Sequence, residues 1–91
     1  MQKVLEAISD PTRRKILDLL KTGEMSVGEL SEHFEITGAS MSHHLNKLKS
    51  ADLVITRRQG QSIYYSIHTS VFDDAAQSVV EFFQKKGAKK K

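Results

Sequence analysis

The feature that most constrains this chain is a change of period at Leu53. Before it, apolar residues recur at helical spacing and are punctuated by residues that start or stop helices. After it, Leu53-Val-Ile-Thr-Arg-Arg58 and Ser62-Ile-Tyr-Tyr-Ser-Ile67 are rich in β-branched and aromatic side chains and are separated by Gln59-Gly60-Gln61. That is the signature of a β-hairpin, so the chain is predicted to be mainly α-helical with one hairpin.

The helical part divides itself by its caps. Val4, Leu5 and Ile8, with Met1, form a short amphipathic stretch that stops at Ser9-Asp10-Pro11. Asp10 is placed to cap a second helix and Pro11 to open it. This helix is expected to reach about Lys21, burying Ile16, Leu17, Leu19 and Leu20, before Thr22-Gly23 stops it. Ser26-Val-Gly-Glu29 is a capping box and predicts a third helix through Leu30 to about Phe34. Glu35-Ile36-Thr37 then makes a tight link to a fourth helix with Thr37 as N-cap, and helix, short turn, helix is the helix-turn-helix arrangement. A hairpin beside it is the wing of a winged helix. Thr69 is placed to cap a fifth and last helix to about Lys86, whose apolar residues cover more of its circumference than one core needs. Residues 1–86 are thus read as one domain, and residues 87–91 as a basic, disordered tail.

Residues 39–48 carry the functional signal. Met41, Leu45 and Leu48 stack on one side of the fourth helix, while Ala39, His43 and Asn46 point the opposite way, flanked by Ser40, Ser42 and Lys47. An enzyme pocket needs shielded, convergent groups. This face is open, low in bulk and rich in donors and acceptors, as a helix lying in the major groove of DNA must be. The expected DNA contacts are Thr37, Ala39, Ser40, Ser42 and His43 at the start of that helix, Lys47 further along it, and Arg57, Arg58 and Gln61 on the wing, with the arginines on the same side as His43. A merely solvated face is the plain alternative for each charge, and Arg13, Arg14 and Gln59 are weaker candidates. His44 is read as a half-buried histidine hydrogen-bonded within the domain, and one of Tyr64 and Tyr65 as core.

Composition bounds the rest. The net charge of +3 says little, because five of the fourteen Lys and Arg residues crowd the last seven positions, and without them the chain has more acid than base. Ninety-one residues bury too little surface for an independent large core, so a homodimer is expected, joined through Val4, Leu5 and Ile8 of the first helix and Phe72, Ala76, Val79 and Phe83 of the last. With no cysteine there is no disulfide or thiolate metal site. No glycine-rich phosphate loop or paired acid-base group supports catalysis, and no cofactor or small-molecule substrate is expected. Neither an apolar run of membrane-spanning length nor a signal-peptide core is visible, so a cytoplasmic protein is expected.

Taken together and in order, Asp10-Pro-Thr-Arg-Arg-Lys-Ile-Leu17, Ser42-His-His-Leu45 and Arg57-Arg-x-Gly60 followed by Tyr64-Tyr65 resemble the ArsR-type winged-helix repressors over roughly residues 3 to 85. The resemblance implies a homodimer that binds an inverted-repeat operator and blocks transcription until a signal releases it, with two reading helices about 34 Å apart in successive major grooves. Metal-sensing members carry two cysteines in a Leu-Cys-Val-Cys-Asp-Leu stretch of the third helix, where this chain has Met25-Ser-Val-Gly-Glu-Leu30. Members that bind zinc or nickel on the last helix use histidines, which this one lacks. The chain looks most like the small autorepressors of toxin-immunity operons, for which the resemblance implies sequestration onto a membrane protein. The alternatives are a metal-responsive repressor with an atypical site and a winged-helix module that binds protein.

Overall fold

The computed structural model describes residues 2–69. In chain order these form α1 (Gln2–Ile8), α2 (Pro11–Leu20), β1 (Met25–Ser26), α3 (Val27–Ser31), α4 (Gly38–Ser50), β2 (Val54–Gln59) and β3 (Ser62–Ile67). Four helices therefore stand among the described residues. The expected fifth, with Phe72, Ala76, Val79 and Phe83, and the basic tail lie outside them.

Helix starts follow from local chemistry. The Asp10 carboxylate accepts from the Arg13 amide at 3.1 Å, Pro11 occupies the first turn of α2, and Thr37 Oγ1 accepts from the Ser40 amide at 3.0 Å to open α4. At α3 the capping box is closed both ways: Glu29 N–H donates to Ser26 Oγ at 3.1 Å and Ser26 N–H donates to Glu29 Oε1 at 2.8 Å. The end of α4 is equally local. Leu53 N–H bonds Leu48 O and Asp52 N–H bonds Lys49 O, both at 3.0 Å, with Asp52 in the left-handed region at φ 59°. This is a Schellman closure with Asp where glycine is usual, and it brings Leu48 and Leu53, both fully buried, together.

The sheet is antiparallel in the order β1-β3-β2, with Met25 opposite Tyr65 and Thr56 opposite Tyr65 from the other side. Gly60 supplies the positive φ, 62°, of a two-residue hairpin loop closed by Gln59 and Ser62. The two-residue strand β1 is not foreseen in the sequence, since two residues establish no alternation.

One core unites these elements: Ile16, Leu17 and Leu20 of α2, Leu30 of α3, Met41, Leu45 and Leu48 of α4, then Leu53, Val54 and Tyr65, with Ala7 of α1. Leu19 is only partly buried, and on α1 it is Ala7 that enters the core while Val4 and Ile8 pack at its edge and Leu5 stays 55% exposed. The helix expected to run to Phe34 stops at Ser31. Beyond Ser31 the chain tightens into turns, with His33 N–H donating to Leu30 O at 3.0 Å and Phe34 N–H to Ser31 O at 3.1 Å, and Lys15 ties this segment to α2 by donating to His33 O at 3.0 Å with its ammonium 4.8 Å from the Phe34 ring centroid. The link to α4 is lengthened to residues 32–37.

Candidate nucleic-acid interface

α4 presents its two faces as its spacing requires. Met41, Leu45 and Leu48 are no more than 1% exposed, whereas Ala39, Ser42, His43, Asn46 and Lys47 are exposed and Ser40 is partly so. Thr37, exposed, stands at the positive end of this helix. His43, Asn46 and Lys47 also line a groove of about 330 Å³ between α4 and α1, opposite Lys3 and Glu6. Small hydroxyls, an imidazole, an amide and an ammonium on one convex helix can donate to and accept from base edges and phosphates without enclosing a substrate.

His44 turns away from that face. Its side chain is 14% exposed, and Arg13 Nη1 lies 3.3 Å from its Nδ1. Arg13 itself, weighed above as a weak DNA candidate, is buried: its Nε donates to Ala7 O at 2.6 Å and its Nη2 to Glu6 O at 3.3 Å. Its helical spacing to Ile16, Leu17 and Leu20 marks the buried face and could have revealed this. The neighbouring Arg14, exposed, donates to Ile8 O and Ser9 O at 2.8 and 3.0 Å. Asp10 completes the cluster, 3.8 Å from His44 Nδ1. Desolvation pushes its carboxyl up, but the Arg13 and Thr12 amides, the His44 ring and the Arg13 guanidinium outweigh this and hold it below the usual carboxylate range.

The wing departs from expectation in one respect. Arg57 and Arg58 do not share a side, because consecutive strand residues point to opposite faces. Arg58, paired with Ile63, projects from the face that carries Val54, Thr56 and Tyr65 nearer the body, and it is exposed. Arg57 turns to the other face and is engaged there. Its Nε and Nη2 donate to the two carboxylate oxygens of Glu24 at 2.9 and 2.8 Å, its Nη1 donates to Gln59 Oε1 at 2.7 Å, and its guanidinium lies 4.8 Å from the centroid of Tyr64, its cross-strand neighbour. The Arg57 guanidinium, as hydrogen-bond donor and positive charge, holds Glu24 below the usual carboxylate range, and Glu24 raises Arg57 in return. Glu24 is the residue that sequence reasoning missed, and nothing local could have supplied it. Gln61 is exposed in the hairpin loop, Tyr65 is buried and Tyr64 partly buried.

Among the described residues, no three His, Cys, Asp or Glu side chains come together as a metal could require, and no helix is long and apolar enough to cross a membrane.

A family model described as "Bacterial regulatory protein, arsR family" matches residues 10–56. The chain is 53% identical over 85 residues, 93% of its length and 94% of the relative's, to the transcriptional repressor SdpR of Bacillus subtilis. It is 35% identical over 79 residues to the arsenical resistance operon repressor of Staphylococcus aureus, covering 87% of this chain and 76% of that one. Among solved structures, an ArsR family transcriptional regulator superposes with a TM-score of 0.88 at 26% identity, over 94% of each chain. NolR from Sinorhizobium fredii superposes with a TM-score of 0.72 at 35% identity, over 90% of this chain and 82% of that one.

Proposed function

This chain belongs to the ArsR family of bacterial regulatory proteins, and from that premise we propose that it is a sequence-specific transcriptional repressor, not an enzyme, that lays α4 in the major groove of double-stranded DNA and its wing along the adjoining backbone. The observation that carries the reading is the two-faced α4, whose buried side fixes it to the core while its exposed side offers Ser42, His43, Asn46 and Lys47. In this reading His43 touches base edges, Thr37, Ala39, Ser40 and Ser42 approach the DNA at the helix start, and Lys47, Arg58 and Gln61 meet phosphates.

The repressor acts in the cytoplasm as a homodimer on an inverted repeat, autoregulating its own gene. Leu5, more than half exposed on α1, supports a second copy there, with Val4 and Ile8 beside it. Ser26 and Gly28, at the positions of the family's paired cysteines, support a signal other than thiolate-bound metal; by the same resemblance, release comes from sequestration by a membrane protein.

The test is an electrophoretic mobility shift with the DNA upstream of its own gene, at physiological salt and with excess nonspecific competitor. A discrete complex that survives competition is expected, and His43→Ala is expected to weaken it by about 1–3 kcal/mol and to blunt discrimination between sequences. A complex that competitor erases favours a protein partner for this surface instead, and a competitor-resistant complex indifferent to His43→Ala removes His43 from the base-reading residues.

A further inference from the structure

We propose that Glu24 is a positioning residue for DNA binding: by holding Arg57 in a two-pronged ion pair, it sets the angle at which the wing, with Arg58 and Gln61 on it, meets the backbone. The proposal rests on the DNA-binding reading above and adds to it a residue that lies on neither the reading helix nor the wing.

The wing needs such a brace because little else holds it. Residues 55–63 are all exposed, so beyond Val54 and Tyr65 no core lies under the hairpin. The β2–β3 ladder fixes one strand against the other, and β1 adds only the pairs Met25–Tyr65 and Ser26–Tyr64 at the root. Neither determines how the outer half leans.

Glu24 is well placed to determine it. It follows Gly23, whose amide donates to Leu20 O at 3.1 Å and whose φ of 137° turns the chain off the end of α2. Its carboxylate is thus anchored to a core helix, and it grips Arg57 with both oxygens. A bidentate carboxylate–guanidinium pair fixes direction as well as distance, unlike a pair made by a lysine ammonium. Tyr64 underneath and Gln59 beside it use one face and the remaining nitrogen of the guanidinium. Arg57 accordingly acts inside the protein, and Arg58 is left to face the phosphates. The pair is solvent-exposed, the setting in which ion pairs add little to folding stability, so its contribution lies in geometry.

The rival possibility, that Arg57 leaves Glu24 to grip phosphate, predicts effects of the opposite sign. The experiment measures binding of the full chain to the DNA upstream of its own gene for wild type, Glu24→Gln, Glu24→Arg, Arg57→Glu and the Glu24→Arg/Arg57→Glu double variant, with thermal unfolding as a control for folding. With the brace lost, Glu24→Gln binds about two- to fivefold more weakly although a negative charge has been removed. The double variant, which restores the pair with reversed polarity, recovers affinity relative to both charge-reversed single variants. Glu24→Gln that binds as tightly as wild type or more tightly, or a double variant weaker than both singles, overturns the proposal and makes Arg57 a phosphate ligand. Residual dipolar couplings of the free protein separate the brace from the DNA reading. In Glu24→Gln the wing amides reorient relative to those of α4, and wing couplings unchanged from wild type overturn the brace. Failure of wild type to form any discrete complex overturns the DNA reading instead.

Discussion

α4 and the wing are held to the body in opposite ways. The helix is seated by three side chains that exclude water almost completely, and its orientation is backed by the buried Arg13 and by His44. The outer half of the wing has no apolar seat, and its one tie to the body among the described residues is an exposed ion pair. Apolar burial is not screened by salt, whereas an exposed ion pair is weakened by it. The contrast teaches that the surface proposed to discriminate bases is seated by burial, whereas the surface proposed to meet the uniform backbone is aimed by a single ion pair.

Breaking the buried seat has the largest expected effect. Leu45→Ala, at a site 1% exposed, is expected to destabilise the fold by about 2–5 kcal/mol, measured by urea unfolding, because the neighbouring helices cannot collapse into the space. An effect well below 1 kcal/mol would show that α4 is seated by something other than its core face.

Next comes the cap that starts α2. Asp10→Ala is expected to cost about 1 kcal/mol at neutral pH, since the Arg13 amide loses its acceptor. The carboxyl is held below its unfolded value of about 3.9, so the wild-type contribution is complete above that pH and is lost as pH falls through the lower folded value. Urea midpoints of wild type and variant should therefore converge as the solution is made acid, and a gap that does not narrow on acidification would refute the linkage.

On the wing, Arg58→Ala is expected to leave folding intact and to weaken all DNA sequences alike, flattening the plot of log affinity against log salt by about one unit of slope. Loss confined to the operator would instead make Arg58 a reader of bases, erasing the division between the two regions.

The smallest effect lies at their junction. Asp52 carries a positive φ that glycine adopts without strain, so Asp52→Gly is expected to stabilise by a few tenths of a kcal/mol while Asp52→Ala destabilises. Thermal unfolding of the two variants gives the sign directly.

What was legible in the sequence was local. Asp10, Ser26 with Glu29, and Thr37 each cap a helix through a partner three residues away, and the Met41, Leu45, Leu48 stripe declares its own face. What was not legible depended on residues that meet only in three dimensions. Arg57 finds Glu24 across 33 positions of sequence, Lys15 bonds His33 O across 18, and β1 exists only because β3 lies beside it. Arg13 is an intermediate case, since its spacing marked it as buried while its charge argued for solvent. Of the proposed site, the helix was therefore readable and the wing's internal wiring was not.

The hydrogen bonds that Arg13 and Arg14 make to the last carbonyls of α1 bear on the order of events in assembly. A helix as short as Gln2–Ile8 has almost no tendency to form by itself, because nucleation costs more than so few bonds return. α1 borrows its end from α2, so the two are expected to melt together, with hydrogen exchange of their amides as the check. If α1 carries part of the surface that meets a second copy, that surface does not exist in a nascent or partly unfolded chain. Subunits then recognise each other only after each has folded, and pairing doubles as an inspection of the finished domain.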